Sequence, residues 1–226
     1  MKKLTKYGWI PDAKDNRDLR YQRKLSALKL PSSIDLTAGM PTVYDQGQLG
    51  SCTANAIAGA FQYLLLKEQK EVFTPSRLFI YYNEREKEGT VNEDSGAQIR
   101  DGIKVCAKKG VCKETTWPYI IEQFAVKPPD NCYVEALDHQ VLKYERLSND
   151  LADIKYCLAP GYPVVFGFTV YESFESAQVA QDGMMPMPGE NDQVLGGHAV
   201  LAVGYDDTTK RFKVRNSWGT SWGDKG

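Results

Sequence analysis

Four side chains, Cys52, His198, Asn216 and Gln46, have the types and settings that carry chemistry. Cys52 follows the glycine-containing run Gln46-Gly47-Gln48-Leu49-Gly50-Ser51. It opens a stretch in which Ala54, Ile57, Ala58, Phe61 and Leu65 recur at helical spacing. Ser51 is therefore expected to cap a helix whose first turn contains Cys52. Unpaired N–H groups and the helix dipole favour a thiolate there, and such positions hold cysteine pKa values at roughly 3.5 to 7.5.

A thiolate nucleophile needs a base, and the chain has only two histidines. His198 begins an apolar run to Asp206, and Arg211 to Trp218 forms a second run beyond the turn formers Asp206-Asp207-Thr208-Thr209-Lys210. The simplest arrangement is an antiparallel hairpin. A turn centred on Asp207 puts His198 opposite Asn216, and a small register change leaves them diagonal neighbours. One imidazole nitrogen would then handle the proton of the sulfur while the Asn216 oxygen fixes the tautomer through the other. Trp218, two residues on, is expected to cover that bond from water. Gln46 would add an amide donor to the Cys52 N–H, making two donors for an oxyanion. Singly, each residue has a plainer use in packing or in a loop; their joint occurrence points to nucleophilic catalysis.

The elements that must position these residues change character along the chain. Thr74-Pro75 before Leu78-Phe79-Ile80-Tyr81-Tyr82 predicts a second helix, with Thr74 as its cap and Pro75 in its first turn. A third runs from about Gly96 through Ile99, Ile103 and Ala107 to Gly110. A short helix surrounds Leu151, Ile154 and Leu158. Pro163 to Val170, His198 to Asp206 and Arg211 to Trp218 read as strands, with a surface loop between the first two. Helices followed by strands give an α+β expectation, with two lobes meeting at a cleft.

Three blocks carry a family resemblance: Gln46-Gly47-Gln48-Leu49-Gly50-Ser51-Cys52; Gly197-His198-Ala199-Val200 with Val203-Gly204-Tyr205; and Asn216-Ser217-Trp218-Gly219 with Trp222-Gly223. In order and spacing they resemble the papain-like cysteine peptidases, and weaker similarity at Trp117-Pro118-Tyr119 and Pro163-Val164 extends the match from about Leu30 to the end. The resemblance implies a helical left lobe over about 31–135 and a β-rich right lobe over about 136–226, with Cys52 and His198 facing each other across the cleft. It implies peptide-bond hydrolysis through a thioester acyl-enzyme: Cys52 as nucleophile, His198 as general base and acid, Asn216 as orienter, Gln46 as oxyanion donor. It also implies that Ala97, Gly167 and Gly197 line the pocket for the second residue upstream of the cut, that Ser95-Gly96 pairs with the substrate backbone, and that Trp218 borders the site. Thr53 replaces the usual aromatic residue after the nucleophile, and a cysteine that is half of a disulfide in secreted members is absent. Two other uses of such a site are a catalytically silent binding module and a ligase in which an amine replaces water.

The 28 basic and 29 acidic residues nearly cancel, which gives no electrostatic reason to expect nucleic acid or an anionic membrane as partner. No apolar run approaches the ~18 residues of a membrane span, and the basic Met1-Lys2-Lys3 is not followed by a signal-peptide core. Either an intracellular setting or a removed signal fits this pattern. Neither a metal nor an organic cofactor is expected, and the protein is expected to be a monomer acting on polypeptide. Cys106 and Cys157 are expected to be buried thiols, and Cys112 and Cys132 flank a loop they could bridge. Residues 1–30 form an extension with aromatic anchors Tyr7, Trp9 and Tyr21, expected either to pad the back of the lobes or to lie in the cleft as a short inhibitory segment. The family usually continues past the position of Gly226.

Overall fold

The period read between Ala54 and Leu65 becomes helix α1 (Cys52–Lys67) in the computed structural model, which describes residues 7–23 and 29–226. Residues 1–6 and 24–28 of the expected extension, Met1-Lys2-Lys3 among them, lie outside the described residues. Every residue of α1 from Cys52 to Gly59 is buried. The helix packs against the sheet on one side and against α2 (Arg77–Glu88) and α3 (Ile99–Lys108) on the other. A helix buried all round requires small residues, and Ala54, Ala56, Ala58 and Gly59 supply them.

Helix α2 starts later than the Thr74-Pro75 signal suggests. Ser76 is its cap, with the hydroxyl accepting from Phe79 N at 3.1 Å. Thr74 and Pro75 are drawn into extended pairing, with Glu114 N donating to Thr74 O at 2.7 Å and Ser76 N donating to Cys112 O at 2.8 Å. Helix α3 ends just before Gly110, whose φ of +77° lies in the left-handed region. Gly96 precedes this helix rather than belonging to it. A short helix α4 (Asp130–Ala136), not anticipated, carries Cys132. Helix α5 (Leu151–Leu158) is capped by Asp150, which accepts from Ala152 N and Asp153 N.

Among the described residues, four antiparallel strands make the second layer: β1 (Ser33–Asp35), β2 (Val164–Tyr171), β3 (Val194–Asp206) and β4 (Arg211–Arg215). The central strand β3 pairs with β2 along Val194–Ala202 and with β1 along Gly204–Asp206, while β4 runs along its other edge. Between β2 and β3 the expected loop folds into helix α6 (Ala177–Asp182), with Phe174 and Val179 buried. One apolar core fills the helical layer around Leu78, Ile80, Tyr81 and Val111. Another, around Leu158, Val164, Ala202 and Tyr205, joins α5 to the sheet. All five cysteines are free thiols; Cys112 and Cys132 share one buried cluster without a bridge.

Candidate active site

Cys52 opens α1 as expected, and its sulfur meets the sheet directly: Ala199 N donates to Sγ at 3.4 Å. Ser51 is the cap residue, but its side chain does not cap. The hydroxyl lies 2.6 Å from the Tyr119 phenol and 3.0 Å from Asn55 Nδ2. Tyr119 also donates to Gln46 O at 2.9 Å, tying the loop before Cys52 to the helical layer. Arg77 supports the same loop, donating to Asp45 O at 3.2 Å between the rings of Tyr44 and Tyr119. Neither residue carries a sequence signal for this role, beyond the weak similarity at Tyr119.

The strands bring His198 and Asn216 together through a different register from the one expected. Asp206 faces Arg211 and Ala202 faces Val214, with a bulge at Val203 between the two sets. The turn is centred between Thr208 and Thr209 rather than on Asp207, which displaces the facing pairs. The bulge takes back one residue of that displacement, leaving Asn216, just past the end of β4, diagonal to His198 rather than opposite it. The bond forms all the same: His198 Nε2 lies 2.8 Å from Asn216 Oδ1, which also accepts from Ser217 N at 2.8 Å. Since that oxygen only accepts, the imidazole proton sits on Nε2 and Nδ1 keeps its lone pair. Nδ1 is buried without a hydrogen-bond partner among the described residues. The Trp218 ring lies over the imidazole at 4.9 Å between centroids and covers the bond.

Gln46 is fully buried. Its Oε1 accepts from Ser217 Oγ at 2.7 Å and its Nε2 donates to Leu49 O at 2.9 Å, which leaves the second amide hydrogen for another acceptor. The side chain is thus fixed from both sides of the site.

Residues 7–10 occupy the surface expected to take substrate. Ala97 N donates to Gly8 O at 2.8 Å, Ile10 N to Ala97 O at 3.0 Å and Trp9 N to Gly197 O at 2.9 Å. The Trp9 side chain lies against Gly167 and Gly197; a Cβ on Gly167 would come within 2.0 Å of the indole, so a glycine is needed there. Gly96 approaches Gly8 so closely that a Cβ would lie 2.3 Å from Gly8 O. Tyr7 stands edge-on to His198, with centroids 6.0 Å apart, and near Trp218, while its hydroxyl is bonded to Glu175. The Gly8 N–H is directed at Cys52 Sγ. Of the predicted contact residues, Gly96, Ala97, Gly167, Gly197 and Trp218 all meet this segment. The Ser95 hydroxyl turns instead to Thr90 Oγ1 at 2.8 Å, because Gly96 and Ala97, not Ser95, form the facing edge.

This cover changes the electrostatics expected of Cys52. Burial pushes the thiol up to about 12, outweighing the N–H groups of Ala199, Gly8 and Thr53 that favour the thiolate. Burial also pushes His198 down to about 4, against the opposing effect of its bond to Asn216. With residues 7–10 seated, both groups are neutral at pH 7.

The family model described as papain family cysteine protease matches residues 30–226. A peptidase C1-like protein of Acanthamoeba polyphaga mimivirus is 49% identical over 246 residues, covering 97% of this chain and 79% of its own length. Cathepsin K of Gallus gallus is 29% identical over 188 residues, 81% of this chain and 53% of its own length. Among solved structures, that of xylellain, a cysteine protease from Xylella fastidiosa, matches with a TM-score of 0.91 at 46% identity, over 100% of this chain and 89% of that one. With α1 packed against an antiparallel sheet and these matches spanning most of its length, the chain belongs to the papain family of cysteine proteases.

Proposed function

We propose that Cys52 is the nucleophile of this protease, His198 its general base and acid, Asn216 the residue that orients His198, and Gln46 an oxyanion donor. The observation that carries the reading is the Asn216 Oδ1 bond to His198 Nε2, which leaves the Nδ1 lone pair free on a strand whose next residue, Ala199, touches Cys52 Sγ. Once residues 7–10 withdraw, water reaches both groups and the Cys52 proton passes to Nδ1. The resulting thiolate and imidazolium stabilise each other. Sulfur attacks the scissile carbonyl, the oxyanion is held by the second Gln46 N–H and the first-turn N–H of α1, and His198 protonates the departing amine. The thioester is then hydrolysed by water that His198 deprotonates.

Residues 7–10 hold the site closed because they run the wrong way to be cut. The leaving amine must lie on the His198 side, so a substrate runs from the Gly167–Gly197 pocket towards Trp218. Tyr7 lies by His198 and Trp9 in the pocket, the reverse order. The segment therefore presents the Gly8 N–H to the sulfur instead of a carbonyl carbon. Hydrolysis of a fluorogenic peptide by the full chain, with and without Cys52→Ala, tests the assignment. Loss of turnover with an unchanged melting transition is expected, and a Cys52→Ala protein that still hydrolyses the peptide overturns it.

A further inference from the structure

Beyond Ile10 the same segment makes a second, chemically different attachment outside the cleft. Helix α3 has no side-chain cap of its own, since the Gln98 side chain makes no capping bond. The cap comes from the segment: Asp12 Oδ1 accepts from Arg100 N at 3.1 Å, in the first turn of α3. Arg146 Nη1 lies 3.3 Å from Asp12 Oδ2 and 3.2 Å from Asp18 Oδ2. Arg100 Nη2 donates to Asp18 Oδ2 at 2.7 Å, with only 11% of the Arg100 side chain and 8% of the Asp18 side chain exposed. Lys104 stands 3.8 Å from Asp15, which is itself paired with Arg17. The backbone seals the arrangement, Arg146 N donating to Leu19 O at 2.7 Å and Tyr21 N to Arg146 O at 3.0 Å.

We propose that the α3 N-terminus with Arg100 and Arg146 is a carboxylate-binding exosite for an acidic peptide turn, that residues 12–18 of this chain are its resident occupant, and that this ionic attachment governs release of the cleft. The inference rests on the self-closing reading above. Three features distinguish a built site from chance surface pairing. The backbone N–H groups of a helix start favour an anion. Arg100 is held almost out of water, where an ion pair is screened far less than at the surface. Arg146 spans both carboxylates, so the spacing of Asp12 and Asp18 is read as well as their charge. Tethering makes each attachment raise the effective concentration of the other, so loosening the exosite loosens the cleft. Apart from the bond of the neutral Tyr7 hydroxyl to Glu175, the cleft contacts are apolar or backbone, and they respond little to salt, whereas the exosite is ionic. The two are therefore separable by ionic strength.

The experiment uses the full chain and peptide turnover measured from low salt to about 0.5 M NaCl, across which the Debye length falls severalfold. Turnover by the unaltered protein is expected to rise severalfold with salt. The Asp12→Asn/Asp18→Asn variant is expected to start severalfold higher at low salt and to vary little. A synthetic peptide spanning Ile10 to Arg20, added in trans at low salt, should raise turnover by the unaltered protein, and the same peptide with both aspartates replaced by asparagine should not. Purely structural aspartates would instead lower turnover and melting temperature together. That outcome, or identical salt profiles for the two proteins, overturns the exosite. A Gly8→Ala/Trp9→Ala protein separates the two readings: its failure to gain turnover indicts the self-closing segment itself, whereas its gain alongside an inert aspartate variant indicts only the exosite.

Discussion

The Gly8 carbonyl accepts from the Ala97 N–H at 2.8 Å, and the Trp9 N–H of the same peptide group donates to Gly197 O at 2.9 Å, so the peptide after Gly8 is bound to both walls of the cleft. A carbonyl to be cut must instead face the oxyanion donors. Occupancy and resistance to cleavage thus have a single geometric origin.

Gly8 is seated so deeply that a Cβ would lie 1.7 Å from Gly50 O, a backbone atom held in place by the Gly50 N–H bond to Asp94. Gly8→Ala is expected to dislodge residues 7–10 without touching the catalytic layer. Strain of about 1.4 kcal/mol already shifts the closed-to-open ratio tenfold. Peptide turnover by the full-length Gly8→Ala protein should rise by roughly that factor or more, and unchanged turnover would count against steric closure.

The same closure is readable in thiol chemistry. With the segment seated, Cys52 is pushed up to about 12, so it stays protonated through neutral pH and iodoacetamide should modify it slowly, with a rate still rising as pH climbs towards 12. In the Gly8→Ala protein the site is wet, and modification should be fast near pH 7. Peptide mapping assigns the modified cysteine, and equal neutral-pH rates in the two proteins would contradict the shift.

Asn216→Ala removes the acceptor that fixes the His198 tautomer but leaves sulfur and imidazole in place. Lost orientation should slow turnover at saturating peptide by about one to two orders of magnitude while KM changes little. A loss as complete as that from Cys52→Ala, in a folded protein, would mean that Asn216 does more than orient.

Glu84 tests the packing beneath the nucleophile. It is fully buried between α1 and α3, accepts from Thr53 Oγ1 at 2.8 Å, and its other oxygen has no partner. Burial raises its pKa well above the ordinary carboxylate range. The folded state therefore holds a proton that the unfolded chain releases above about pH 4.3, and stability falls as pH rises from there. Glu84→Gln removes that dependence. Its melting temperature should gain on the unaltered protein progressively from pH 4 to pH 8, and a constant difference would show that Glu84 is ionised in the fold.

Much of this was legible because the decisive signals are local. The period of α1, the place of α5 around Leu151, Ile154 and Leu158 and the turn residues between β3 and β4 all lie within a few residues of what they determine. At α2 tertiary pairing overrode the local signal: Thr74-Pro75 reads as the helix start, but its extended contacts to Lys113 and Glu114 leave the cap to Ser76. The turn formers from Asp206 to Lys210 do not single out a centre, and the bulge at Val203 leaves no mark in the alternation, so the facing pairs of the hairpin differ from those expected even though the His198–Asn216 bond was anticipated. Tyr7 and Trp9 were recognisable as anchors, but the fit of Gly8 against Gly50 joins residues far apart in the chain and has no local signature.

Strand β3 spans 13 residues, carries His198 near its start, and is bonded along its length to β2, β1 and β4. Such a strand has almost no freedom to breathe, so His198 cannot shift without unzipping the sheet. Under the proposed closure, the opening that admits a substrate falls to residues 7–10 and the turn behind them. Amide hydrogen exchange would divide the molecule accordingly: Ala199 to Ala202 would exchange only through global unfolding, whereas Trp9 and Ile10 would exchange through frequent, local excursions. The catalytic frame is the slow part of this enzyme, and its cover sets the tempo.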